Sequence, residues 1–418
     1  MIDFIYFLVF LFVLIFYALA MMLRRFTYYS LSVEAHLIGY ILVFFVFPMF
    51  FGYVYVPKEI LEYGDVEAYF EPVLMYSFLM VIILMCISYY DLCFIKPRPS
   101  LAVSYDPDEK LNMFILLLFL LYYIFLTFFI LFKTDYRLIF TNFDVFAMQI
   151  RNGGAFYLNI LYTIEFLPFL YFVRSSRLSY SWIFLYLSAA IFIFLLLGAR
   201  TLVVSSVLGL IVVLSVRKSF DIGKLIVPAF FLIFAFILSS VVRTGMEVDF
   251  DKLTGYFSRN SDQLANTSVV YKEVKEERLE IQRGGTLIDA YYYLIPSSIV
   301  DDKPKSYYPS RLIYGEVAER TGRTFNFGLF GRSILDFGFY LSFLIVLLVL
   351  VFYKRVYKYL QTGSNSFLYL FCLWIYSHLF QVFILGVNSH FISVALFNFI
   401  ASALLFKFCT YFLKLRLM

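Results

Sequence analysis

The sequence predicts an all-α polytopic integral membrane protein with eleven transmembrane helices, and three observations carry that expectation. Of its 418 residues, 62% are hydrophobic and 22% aromatic, where soluble domains are roughly half apolar; mean hydropathy is +0.85. The apolar residues fall into runs close to the ~20 residues that one helix needs to cross a bilayer. Lysines and arginines gather in alternate loops between the runs, the asymmetry that orients membrane helices.

Taken in order, the first run, 2–22, has no basic segment ahead of it and no small-residue cleavage site, so it is expected to remain as a helix. Runs 32–54, 70–94, 111–132 and 156–173 follow, each bounded by charged residues. From Tyr180 to Val216 the only full charge is Arg200, and these 37 residues are nearly twice one span. They divide at Gly198–Thr201 into 180–198 and 201–216. The run 225–242 completes a group of eight, and 333–353, 366–386 and 391–413 supply three more. One extra span or a re-entrant segment within 134–155 would bring the total to twelve.

With the N-terminus outside, the inner loops hold fifteen basic residues, from Arg24 and Arg25 through to Lys414 and Arg416. The short outer loops then hold five: Lys58, Lys133, Arg137, Arg151 and Arg200. This bias accounts for the net charge of +5, which therefore gives no indication of nucleic-acid binding. Cys86, Cys93, Cys372 and Cys409 fall in or beside helices, so neither a disulfide framework nor a metal site is expected. No phosphate-binding loop of the Walker type and no long cytoplasmic domain occur in the sequence, so ATP hydrolysis is not expected.

The chain thus divides into helices one to eight (1–242), a large outer loop or cap (243–332) and helices nine to eleven (333–418). The loop balances thirteen basic against thirteen acidic residues. A loop this long is functional or disordered, and the breaker-poor stretch Asp251–Glu280 argues for helical order within it. Arginines stand at the outer ends of several helices: Arg200 in the turn GART, Arg151 before 156–173, Arg243 after 225–242 and Arg332 before 333–353. Each fits a snorkelling anchor; together they fit an anion site, because guanidinium donates in a fork that matches phosphate oxygens. Glu316 and Arg320 stand four apart, either as a helical ion pair or with Glu316 as a base. Asp336 lies three residues inside an apolar run, where an acid faces a cavity or a partner. His390 opens the last helix, either structurally or as a base. The pair Asp249 and Asp251 matches a metal-holding spacing too short to assign one.

Aromatic-rich helices, a GAR turn, one late outer loop carrying LIPSSIVDDKPKS and the run FNFGLFGRSILDFG together resemble the bacterial O-antigen polymerases, the oligosaccharide repeat unit polymerases. Arg311 and Gly322 match that family's spacing of an arginine, ten residues and a glycine; Arg151 and Arg243 depart from it. The resemblance implies a GT-C-like glycosyltransferase of the inner membrane with its large loop in the periplasm. Its substrates would be oligosaccharide repeat units carried on undecaprenyl diphosphate. Arg151, Arg200, Arg243, Arg311 and Arg332 would hold the diphosphate, with a base drawn from Glu316, Asp336 and His390. No cofactor is expected; the partners would be membrane lipids and a chain-length regulator protein. An O-antigen ligase, or a flippase or transporter of the same lipid-linked glycan, are the competing expectations.

Overall fold

The computed structural model describes residues 33–46, 66–94, 109–135, 180–196, 263–286, 312–315, 327–362 and 367–386, with isolated positions at 137–138, 145–146, 172, 206–207, 209–212, 400, 404, 407–408 and 411. Among the described residues every regular element is helical. In chain order these are α1 (Val33–Ile41, continuing into a π-helical turn Leu42–Val46), α2 (Phe70–Phe94, entered through a 3-10 turn Glu67–Tyr69), α3 (Glu109–Lys133), α4 (Tyr180–Leu196), α5 (Gln263–Lys275), α6 (Gly328–Thr362), α7 (Phe367–Ser377) and α8 (Leu379–Leu385). Among the described residues two stretches are long and apolar enough to cross a membrane, Glu67–Ile87 and Gly328–Leu360.

The chain folds as two compact units. One comprises Met1–Arg98, Gly255–Arg355 and Leu379–Ser393; the other comprises Pro99–Thr254, Val356–His378 and Val394–Met418. Residues 255–332, expected as part of a cap, therefore belong to the same unit as α1 and α2.

In the second unit, α3 buries Leu116, Phe119, Tyr123, Leu126 and Ile130, spaced three and four apart on one face. That face packs on α4, with Tyr186 against Phe119 at 5.7 Å and Phe172 at 5.5 Å. The remaining faces of α3 are also apolar but exposed, including Leu117, Leu121, Ile124, Phe125, Phe128 and Phe132. In the same unit α7 stacks Tyr376 on Tyr357 at 4.9 Å.

The first unit holds α1, α2, α5, α8 and most of α6. Its aromatic core joins Tyr40, Phe45, Tyr76, Phe330 and Phe383, with Tyr76 edge-on to Phe330 at 5.5 Å and Tyr40 tilted on Phe383 at 5.5 Å. Glu34, buried on α1, pairs with Lys354 on α6 at 3.3 Å. An unbroken α6 of 35 residues would be roughly 50 Å long at ~1.5 Å per residue, well beyond a bilayer core. It is broken at Gly338, whose φ of 71° and ψ of 177° belong to a region essentially closed to other residues. A short half-helix, 328–337, thus precedes a longer one, and the expected span 333–353 straddles the break. The expected span 366–386 is likewise interrupted, by a turn at His378 between α7 and α8.

Candidate functional site

The first unit contains a helix whose burial composition alone does not explain. Helix α5, QLANTSVVYKEVK, is close to neutral in polarity, yet Gln263 to Val270, Lys272 and Glu273 are all buried. It packs on α2, on the 3-10 turn and on the π-helical turn. Buried polar groups need partners, and α5 finds them along its length. Gln263 accepts from the Tyr40 hydroxyl at 2.5 Å and donates to the Ile384 carbonyl at 3.1 Å. Asn266 accepts from the Tyr314 hydroxyl at 2.6 Å, and Thr267 donates to the Phe327 carbonyl at 2.9 Å. Gly328 fits here because any Cβ would stand 2.5 Å from the Tyr40 hydroxyl oxygen and 3.0 Å from the Phe383 carbonyl.

Helix α5 ends in a Schellman motif: the Glu277 amide donates to Val274 O and the Arg278 amide to Glu273 O. Glu277 takes the left-handed position, at a φ of 57°, where glycine is usual. Lys272 and Lys275 lie in the last turn, matched to the negative end of the helix dipole. Both ammonium groups lie over the Tyr69 ring, at 5.6 and 5.7 Å. The Tyr69 hydroxyl donates to Glu276 at 2.6 Å, and Arg278 bridges Glu276 and Glu273. Burial, reinforced by the neighbouring Tyr340, pushes the Tyr271 phenol above its ordinary pKa.

The chain then turns back onto the half-helix of α6. A helix leaves its last carbonyls without internal partners, and here the turn supplies them: Gln282 N donates to Leu335 O at 3.0 Å and Gly284 N to Asp336 O at 3.1 Å. The Asp336 carboxylate, 2% exposed, accepts from Thr286 twice, from the amide at 3.0 Å and the hydroxyl at 2.5 Å. Ile281 packs over the break, so that a Cβ at Gly338 would meet its Cδ1 at 2.8 Å.

Arg332 stands four residues before Asp336 on the same half-helix, one turn away on the same face. The aliphatic stem of Arg332 lies against the backbone at Gly386, just after α8, where a Cβ would approach its Cδ to 2.8 Å. Arg332 is half-buried as a residue, and its Nη1 is buried. A fixed guanidinium in a partly desolvated setting is suited to an oxyanion.

Two of the sequence-derived candidates, Arg332 and Asp336, therefore share the half-helix of α6. Arg151, Arg200, Arg243, Arg311, Glu316 and His390 lie outside the described residues. Between Arg311 and Glu316 in the chain, Ile313 and Tyr314 are buried, and Tyr314 reaches α5. Sequence reasoning missed α5 as a buried element and Thr286 as the partner of Asp336. The uncharged run QLANTS and the glycine pair before Thr286 are the signals it passed over. It also missed His378, which is buried, within 2.9 Å of the Trp374 carbonyl and 3.0 Å of the Ser377 hydroxyl through Nδ1. Among the described residues no three His, Cys, Asp or Glu side chains are grouped to hold a metal ion.

No protein-family model, curated protein or solved structure matches the chain.

Proposed function

We propose that this chain is a polytopic inner-membrane protein of eleven or twelve helices that polymerises oligosaccharide repeat units carried on undecaprenyl diphosphate, at the periplasmic face. Membrane residence is supported by the inverted distribution of polarity. Apolar stripes are exposed at Met75, Leu79 and Ile82 on α2 and at Leu341, Leu344, Leu348 and Phe352 on α6, while Gln263, Asn266, Thr267, Thr286 and Asp336 are buried. Water would favour the reverse arrangement; lipid favours this one.

For the reaction, the carrying observation is Arg332, half-buried on a half-helix beside the break in α6. In the proposed step an acceptor hydroxyl attacks the anomeric carbon of the growing glycan and the bond to the lipid diphosphate breaks. The diphosphate departs with the bonding pair, and the hydroxyl proton passes to a base. Fixed positive charge at the leaving oxygen lowers the barrier; Arg332, with Arg151, Arg200, Arg243 and Arg311, supplies it. The base is drawn from Glu316, Asp336 and His390, of which Asp336 already accepts from Thr286 at both oxygens. The acceptor is the next lipid-linked repeat unit, and a chain-length regulator is the expected protein partner.

Surface glycan length tests the reading in a deletion strain complemented with wild type, Arg200→Ala or Arg200→Lys at matched protein levels. A polymerase leaves single capped repeat units on deletion, and neither variant restores the ladder. Loss of even the single unit on deletion would point instead to a ligase or flippase. A full ladder with Arg200→Lys would reduce that residue to an anchor.

A further inference from the structure

We infer that the phospholipid headgroup layer of the bilayer meets the first unit at a collar of three tyrosines, Tyr69, Tyr271 and Tyr340, with the end of α5 and the turn after it standing outside. The inference rests on the membrane residence proposed above and is independent of the reaction.

Helix α2 and the long half of α6 begin at one level. Tyr271 on α5 meets the Tyr69 ring at 6.0 Å and the Phe339 ring at 5.0 Å. Tyr76 meets Phe339 at 5.4 Å and Phe343 at 5.5 Å, with its hydroxyl 3.1 Å from Ser342 Oγ. From that level both helices change polarity in step. On the exposed face of α2, Glu67 and Glu71 give way to Met75, Leu79 and Ile82; on α6, Tyr340, 89% exposed, is followed by Leu341, Leu344, Leu348 and Phe352. Spacings of three and four keep each apolar series on one helix face. Beyond the collar, where the turn after α5 covers the break at Gly338, the chain exposes Lys275, Glu276, Glu277, Arg278, Glu280 and Arg283, with Ile281 the one apolar residue among them. Tyrosine suits the layer between two such zones, its ring meeting hydrocarbon and its hydroxyl meeting headgroups. Both signs of charge stand in the rim, which fits headgroups that carry a phosphate and an ammonium together. Lengths agree as well. Twenty residues separate Glu71 from Asp91, the next charge on α2, about 30 Å of helix against a hydrocarbon core of ~30 Å. On α6 fifteen residues lead from Tyr340 to the exposed Arg355, about 22 Å, which the reach of an arginine side chain extends. Arg332 stands eight residues before Tyr340, so the same placement keeps it close to the layer in which lipid phosphates lie.

One tryptophan at a time is added to the full chain, as Glu280→Trp, Tyr340→Trp, Leu79→Trp or Leu348→Trp. Each variant is reconstituted into phosphatidylcholine vesicles brominated at a shallow or at a deep acyl position. Loss of fluorescence is read against wild type, whose Trp182 and Trp374 set the background. All four positions are exposed, so the variants are expected to unfold within a few degrees of wild type. Leu348 lies eight residues past Tyr340 and Leu79 eight past Glu71, about 12 Å of helix in each case. Tyr340→Trp is expected to be quenched most by the shallow bromines, Leu79→Trp and Leu348→Trp most by the deep ones, and Glu280→Trp by neither. The placement is overturned if Glu280→Trp is quenched, if Tyr340→Trp responds most to the deep bromines, or if Leu79→Trp or Leu348→Trp responds most to the shallow ones. Each of those outcomes leaves the chain in the membrane at another depth. No added quenching at any of the four positions would reject membrane residence itself, and the placement with it. The expected pattern, with no extension of a lipid-linked glycan, would reject the polymerase reading and leave the collar standing.

Discussion

Helices α3 and α5 reverse each other. Helix α3 is apolar and leaves Leu117, Leu121, Ile124, Phe125, Phe128 and Phe132 exposed, whereas α5 carries Gln263, Asn266, Thr267 and Ser268 and buries them all. In water both would be costly, the first through exposed hydrocarbon and the second through buried amides and hydroxyls. In lipid α3 costs nothing, and α5 needs only that each polar group find a partner, as Tyr40, Tyr314 and the Ile384 and Phe327 carbonyls provide. The contrast teaches that polarity along this chain reports the surroundings a segment is built for, and that a polar segment is not thereby an exposed one.

The sharpest way to break the α5 side is Gly328→Ala. A left-handed φ of 64° costs ~1–2 kcal/mol for a residue with a Cβ, and overpacking against Tyr40 and the Phe383 carbonyl costs ~1–3 kcal/mol. The expected sum is about 4 kcal/mol, read as a fall in unfolding temperature in detergent. On the α3 side, Ile124→Asp is expected to oppose membrane insertion by about 3 kcal/mol, measured with a glycosylation-site reporter. Normal insertion of that variant would mean that the exposed face of α3 does not meet lipid. Gln263→Leu leaves the Tyr40 hydroxyl and the Ile384 carbonyl to find new partners and is expected to destabilise by about 2 kcal/mol in chemical unfolding. Glu277→Gly should stabilise by about 1 kcal/mol, since glycine takes the left-handed helix end without the Cβ penalty. Ile124→Leu, the control, is expected to lie within about 0.5 kcal/mol of wild type.

The contrast also sets how much was legible beforehand. The apolar runs 70–94, 111–132 and 180–198 emerge as the helices Phe70–Phe94, Glu109–Lys133 and Tyr180–Leu196, because an unbroken apolar run between polar flanks marks where one helix starts and stops. The break in α6 was not legible: hydropathy runs straight through Gly338, and only the backbone angle and the Ile281 contact distinguish that glycine from its neighbours. Burial of α5 was hidden for the opposite reason, since its partners lie far away in sequence, Tyr40 being 223 residues from Gln263. In the site, Arg332 and Asp336 were conspicuous as charges beside an apolar run. Thr286 was not, because its role exists only once the chain has folded back across the 50 residues to Asp336.

The pair between Glu34 and Lys354 gives α6 a further property. Sixteen residues separate Gly338 from Lys354, about 24 Å of helix, with the turn hydrogen bonds just before the break at one end and the pair between half-buried Lys354 and buried Glu34 at the other. A helix held at both ends cannot tilt or slide to suit a thicker or thinner bilayer without stripping a charge of its partner. In the membrane proposed for this chain, where ordinary spans absorb hydrophobic mismatch by leaning, such a helix would pass the strain to the surrounding lipid, which would thin or thicken around it.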